Sequence, residues 1–309
     1  MIDLSKLGYN KPLFILPFDH RASFIKGIFG DEVKEINNVQ KQKIIEEKQM
    51  IYEAFKKAIL EKIPKENAAI LVDEEFGDLI LQDAVKNNFN TCLTTEKSGQ
   101  EIFDFEYGDK FPEHIKKYNP KFVKALIRYN PEGEVEVNKN QEEKLRLLNN
   151  YCHNEGYLFL LEVLIPPTKN QLEKTGGNLI VYEESVKPEL ALRMIDLLRK
   201  ASIEPDVWKL EGLSSKKNYE KTCLKIKEGN RKNVSVVILG RGEKKELVDK
   251  WIVQGAREKG VIGFAIGRTV FWQPLVSYRN KNLTKEEAID IISSNYQYYY
   301  QLFIDNKNL

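Results

Sequence analysis

Short apolar runs recur along the chain, each followed by a longer amphipathic stretch, and this alternation limits the fold more than any single motif. The runs span residues 13–18, 68–73, 91–95, 122–129, 157–165, 206–211, 234–240 and 261–267. Rich in Val, Ile, Leu and Phe, they read as strands covered on both faces. Helical periodicity fills 39–63, 78–87, 141–154, 184–201, 219–228 and 244–259, with a further helix at 285–303 after the last run. Eight buried strands alternating with helices match a (β/α)8 barrel, whereas an open doubly wound sheet more often stops at about five to seven. The expected fold is therefore α/β, a single (β/α)8 TIM barrel over residues 1–309 with no second domain. The weakest connection is 96–119, where acidic, aromatic and Pro residues replace apolar periodicity and a short or irregular helix is expected.

Composition narrows the partners. A net charge of +2, with basic residues interleaved among acids, speaks against nucleic acid and for a small-molecule ligand. Cys92, Cys152 and Cys223 are odd in number and scattered, which points to a reducing cytoplasm and away from a disulfide framework or zinc site. The N-terminal residues lack the blocks of a signal peptide, and no apolar run approaches membrane-spanning length. No cofactor is expected. The histidines, His20, His114 and His153, show no metal-binding spacing, although Asp73, Glu74, Glu75 and Glu162 leave a hard divalent ion open as a rival.

In barrels of this kind the reacting groups gather at the C-terminal ends of the strands. The sixth run, Asp206-Val207-Trp208-Lys209-Leu210-Glu211, carries a lysine in an apolar strand, with Val207, Lys209 and Glu211 on one face and Trp208 and Leu210 on the other. An amine on the inner face of a buried strand is costly to charge and becomes a nucleophile at neutral pH, the chemistry of a Schiff-base lysine. The same segment also reads as an edge strand whose lysine snorkels to water. Asp19 and Glu162 stand at strand ends and suit proton transfer, or plain pairing with a neighbouring cation. Lys124, if it points inward, sits near Lys209 as a second ammonium. The seventh and eighth strands close with Gly240-Arg241-Gly242 and Gly267-Arg268-Thr269. Glycine lets backbone N–H groups approach a phosphate and arginine adds bidentate hydrogen bonds, so adjacent Gly-Arg turns read as a phosphate corner.

The chain also resembles a family. Pro17-Phe18-Asp19-His20-Arg21, Val72-Asp73-Glu74-Glu75-Phe76-Gly77, Leu161-Glu162-Val163-Leu164-Ile165-Pro166-Pro167-Thr168 and Glu204-Pro205-Asp206-Val207-Trp208-Lys209-Leu210-Glu211-Gly212 are similar to class I aldolases of the tagatose 1,6-bisphosphate aldolase type. Leu239-Gly240-Arg241-Gly242 and Gly263-Phe264-Ala265-Ile266-Gly267-Arg268-Thr269 continue the match. The likeness is stronger to the domain fused behind 5-dehydro-2-deoxygluconokinase in inositol catabolism. It implies that Lys209 forms the Schiff base, that Glu162 and Lys124 assist proton transfer, and that Asp19 holds substrate hydroxyls or takes part in cleavage. Arg268, Gly240 and Gly267 would bind phosphate, with Lys97 near the other end of the substrate. Arg241 and His20 depart from the tagatose-type pattern, and Arg241 or Arg21 would suit a substrate carboxylate.

The reaction so implied is retro-aldol cleavage of 2-deoxy-5-keto-D-gluconate 6-phosphate to dihydroxyacetone phosphate and malonate semialdehyde. The expected partner is a phosphorylated keto sugar or keto sugar acid, with no membrane or nucleic acid and with homo-oligomerisation left open. A sugar-bisphosphate aldolase, a metal-assisted isomerase or lyase, and a non-catalytic sugar-phosphate-binding barrel are the alternatives. Residues 166–184 form a long βα connection that is expected to close over the substrate.

Overall fold

The computed structural model describes residues 3–33 and 35–307; Met1 and Ile2, part of the N-terminal segment judged above, lie outside them. The eight apolar runs form β1 (Leu13–Pro17), β2 (Ala68–Val72), β3 (Asn90–Thr94), β4 (Phe122–Arg128), β5 (Leu158–Leu164), β6 (Val207–Glu211), β7 (Ser235–Leu239) and β8 (Val261–Ala265). They pair in parallel in chain order, and β8 closes the ring on β1, so the fold is the expected (β/α)8 barrel.

The helices cross back over the outside, as parallel neighbours require. After β1 come α1 (Ala22–Phe29) and α2 (Asn38–Glu61), then α3 (Glu74–Lys86) after β2, α4 (Phe111–Tyr118) after β3 and α5 (Val135–Glu155) after β4. Between β5 and β6 lie α6 (Lys169–Lys174), α7 (Leu179–Val181), a π-helical turn at Tyr182–Val186 and α8 (Lys187–Lys200). α9 (Lys216–Lys227) follows β6, α10 (Lys245–Ala256) follows β7, and α11 (Arg268–Arg279) and α12 (Lys285–Asn306) follow β8.

Two helices depart from the sequence expectation. α1 buries only Phe24, too little to print an apolar stripe, and α11 carries Pro274 among β-branched and aromatic residues of weak helix preference. The 166–184 connection is also more helical than expected. α4 is the short helix anticipated in 96–119.

Period-two alternation decides what faces the barrel axis. Leu13, Ile15, Leu71, Phe122, Leu160 and Val207 belong to an inner apolar plug, while Trp208 and Leu210 belong to the layer between strands and helices. The next inward positions above the plug are Lys124, two residues after Phe122, Glu162, two after Leu160, and Lys209, two after Val207. A register slip of one residue would turn all three out of the ring. In α12 the tyrosine-rich stretch packs on the barrel: Tyr296 and Tyr299 are buried, and the Tyr296 hydroxyl donates to the Phe14 carbonyl at 2.6 Å. No helix among the described residues is long and apolar enough to cross a membrane.

One buried acid lies away from the barrel mouth. Glu47 of α2 has no hydrogen-bond partner on either carboxyl oxygen, and its nearest cation is Arg279 of α11 at 3.5 Å. Burial, against the pull of Arg279 and Lys43, pushes its pKa up from 4.5 to about 7. Between those values the folded chain holds a proton that the unfolded chain releases, so this group makes stability fall as pH rises across that window. Glu47→Gln is expected to raise the unfolding free energy at pH 8 by about 2 kcal/mol, with the gain fading toward pH 5. Urea denaturation at both pH values checks this; an equal gain at each would exclude ionisation as the cause.

Candidate active site

The C-terminal mouth of the barrel opens into a cavity of about 350 Å³. At its floor stand two amines and three carboxylates. Lys209 of β6 is buried and donates to Glu162 Oε2 at 2.8 Å; its parallel neighbour in the ladder is Glu162 itself. Lys124 of β4 lies 3.0 Å from the same Glu162 oxygen and 2.9 Å from Asp19 Oδ2, and it also contacts Glu96. Glu162 thus bridges the two ammonium positions. Lys124 is inward, which strand alternation alone leaves open, and its charge is shared among three carboxylates instead of confronting Lys209 alone.

This arrangement sets the charge states. Burial opposes the charging of Lys124, but Asp19, Glu162 and Glu96 together hold its pKa well above the ordinary lysine value. Burial alone would raise Glu162 and Asp19, yet Lys124 and Lys209 hold Glu162 below its ordinary value, and Lys124, His20 and Lys209 do the same for Asp19. Both carboxylates are ionised at neutral pH. His20 lines the cavity beside them; burial, only partly offset by Asp19, pushes it down to about 4, so its imidazole is neutral at pH 7. Its Nδ1 is buried without a hydrogen-bond partner.

The β7 and β8 turns form one wall. Gly267 caps the start of α11, and a Cβ there would overlap the Pro17 carbonyl, so the close approach of this turn to β1 requires glycine. Arg268 donates from Nη2 to the Arg241 carbonyl at 2.7 Å, and Arg241 itself sits in the left-handed region at φ 55°. Gly242 lines the cavity with Arg241, Gly267 and Arg268, whereas Gly240 does not. The Arg241 guanidinium is held by Glu183 of the π turn at 2.7 Å and by Glu211 at 2.8 Å.

Arg21, after β1, and Lys97, after β3, also line the cavity. Arg21 donates to Glu106 at 2.6 Å and to the Glu96 carbonyl at 2.5 Å, pinning the segment after β3, while Lys97 pairs with Asp104 at 3.0 Å. The structure therefore gathers Lys209, Glu162, Lys124, Asp19, Arg268, Gly267, Arg241, Lys97 and Arg21 around one cavity. Glu96, Arg128 and His20 join them. Strand-end position marks all three as polar residues near the mouth, but their partners depend on barrel stagger and not on spacing within a strand.

The acidic residues that leave a metal open are dispersed. Asp73 pairs with Lys48 and accepts from the Phe76 N–H at the start of α3, while Glu74 pairs with His114 at 2.6 Å and Lys117 at 3.0 Å. Among the described residues no cluster of three or more His, Cys, Asp or Glu is placed to hold an ion.

Fold and cavity together define a (β/α)8 barrel with a buried amine–carboxylate cluster at the C-terminal ends of its strands. The chain belongs to the family described as "Uncharacterized protein conserved in bacteria (DUF2090)", which matches residues 6–307. No curated protein matches the sequence. Among solved structures, Cgl0159 from Corynebacterium glutamicum is similar at 12 % identity and TM-score 0.55, over 94 % of this chain and 88 % of that one. An archaeal fructose 1,6-bisphosphate aldolase is similar at 13 % identity and TM-score 0.59, over 97 % of this chain and 100 % of that one. At these identities the likeness concerns the fold.

Proposed function

We propose that the protein is a class I, Schiff-base aldolase that cleaves a ketose phosphate. The observation that carries this reading is the position of Lys209: inward, buried, 2.8 Å from an ionised carboxylate, and lining the same cavity as Arg268 and the Gly267 turn. In this mechanism Arg268 and the first N–H groups of α11 hold the phosphate, with the positive helix terminus adding to the attraction. Lys209 passes a proton to Glu162 across their 2.8 Å contact and attacks the ketone carbon as the free amine; Glu162 then returns that proton to the carbinolamine oxygen, which leaves as water to give an iminium.

The iminium then draws electrons from the adjacent carbon–carbon bond while Asp19 takes the proton of the substrate hydroxyl. The aldehyde product departs and an enamine remains on Lys209. Protonation and hydrolysis of the enamine release the second product and restore the amine. Lys124 keeps its proton throughout and orients Asp19 and Glu162 through its 2.9 and 3.0 Å contacts.

The sequence resemblance supports 2-deoxy-5-keto-D-gluconate 6-phosphate as substrate, giving dihydroxyacetone phosphate and malonate semialdehyde; a sugar bisphosphate is the second candidate. The whole span 1–309 acts as one barrel in this reading, in a reducing cytoplasm, consistent with Cys92, Cys152 and Cys223 being free and buried. Borohydride added to protein incubated with a panel of ketose phosphates is expected to fix one substrate-derived adduct on the peptide containing Lys209. Intact mass unchanged with every member of the panel would remove the Schiff-base assignment.

A further inference from the structure

Most cations lining the cavity are already neutralised. Arg21, Lys97, Lys124, Lys209 and Arg241 each have a carboxylate within 4.0 Å. Among the described residues Arg128 and Arg268 have none within that distance. Arg268 is the phosphate residue of the reading above. Arg128, at the end of β4, has one hydrogen bond, from Nη1 to the Gln100 carbonyl at 2.7 Å, which fixes the side chain and leaves the rest of its fork of donors without a protein acceptor among the described residues.

The ring geometry gives this charge a role. In the closed order β1 to β8, β4 and β8 are four strands apart, on opposite sides of the barrel, and β6 with Lys209 is two strands from each. Arg128 is four residues beyond Lys124 on β4, roughly 13 Å further along the strand in the direction of the mouth. A ligand anchored at Arg268 and extended across the cavity therefore carries its middle atoms past the amine and its far end toward Arg128.

We infer that Arg128 is a second anion-binding residue, opposite Arg268, and that it receives the distal charged group, carboxylate or phosphate, that both candidate substrates carry. This rests on the reading of the cavity as a sugar-phosphate site, and it assigns the distal anion to Arg128 instead of Arg21, Arg241 or Lys97, whose charges are met by Glu106, Glu183 with Glu211, and Asp104. A guanidinium held by one backbone carbonyl is ready to accept a planar carboxylate or a phosphate in bidentate fashion.

The test uses titration calorimetry with three ligands that lack a ketone or aldehyde group and so form no imine: glucitol 6-phosphate, glucitol 1,6-bisphosphate and gluconate 6-phosphate. At least one of the two doubly charged ligands is expected to bind the native protein about tenfold or more tighter than glucitol 6-phosphate. Which one gains distinguishes a distal phosphate from a distal carboxylate. Arg128→Gln is expected to abolish that gain while keeping the affinity for glucitol 6-phosphate within about twofold, which also reports an intact cavity; Arg128→Lys is expected to restore part of it. No gain in the native protein, or a gain that survives in Arg128→Gln, overturns the inference. Failure of the aldolase reading has a different signature: an Arg128-dependent gain with no borohydride adduct on Lys209.

Discussion

Lys209→Met is expected to lower turnover of the ketose phosphate by roughly four orders of magnitude or more while leaving the barrel folded. The activity loss follows from chemistry: the other amines of the cavity do not replace Lys209, because Lys124 is held protonated by Asp19, Glu162 and Glu96 and Lys97 is paired with Asp104. The survival of the fold follows from the way Glu162 is held. Its Oε2 keeps Lys124 at 3.0 Å when Lys209 is gone, and Asp19 and Glu96 retain their contacts with Lys124, so no carboxylate is stranded. The stability cost is expected to be about 1 kcal/mol, the scale of one hydrogen bond lost from a group that keeps another. Steady-state kinetics with the substrate found by trapping, and urea denaturation of the same preparation, separate the two effects. Residual turnover within a hundredfold of the native protein would show that the reaction does not pass through an imine on Lys209.

The parts of this site that sequence makes legible are those that depend on one strand at a time. All eight strands announce themselves because a strand buried on both faces needs a nearly continuous apolar run, and polar residues cannot hide in it without standing out. Lys209, Glu162 and Lys124 interrupt such runs at positions of one parity, so their inward direction follows once the ring closes. The helices α1 and α11 are obscured for the opposite reason: α1 buries only Phe24 and α11 includes Pro274, so periodicity does not mark them.

Pairings between distant segments are less legible. Sequence presents Arg241 and Arg268 as equivalent Gly-Arg turns, yet Arg241 turns to Glu183, which comes from a π turn 58 residues earlier with no periodic signal of its own. Arg21 likewise meets Glu106 across 85 residues. Arg128 differs from both only because no acid reaches it, a property that no stretch of its own strand encodes.

Lys124→Met is expected to be the most destabilising substitution in the cavity, costing about 3–5 kcal/mol at pH 8. Lys124 is 1 % exposed and faces Asp19, Glu96 and Glu162, so its loss leaves three carboxylates in a buried cluster with only Lys209 to balance them. The sign of the pH dependence follows from what the lysine now does. In the native protein the folded-state pKa values of Asp19 and Glu162 lie below their ordinary values of 3.8 and 4.5, so they contribute stability that is present above those values and lost as pH falls toward the folded ones.

Without Lys124 its attraction vanishes and burial, the largest opposing influence on both groups, pushes them upward. The cost of ionising them is then borne by the fold at high pH and relieved as they take up protons. The deficit relative to the native protein is therefore expected to be largest at pH 8 and to narrow by pH 5. Chemical denaturation of both proteins at the two pH values reads this directly. A deficit that is the same at pH 5 and pH 8 would mean that Lys124 contributes packing and not charge, and the electrostatic account of the cluster would have to be given up.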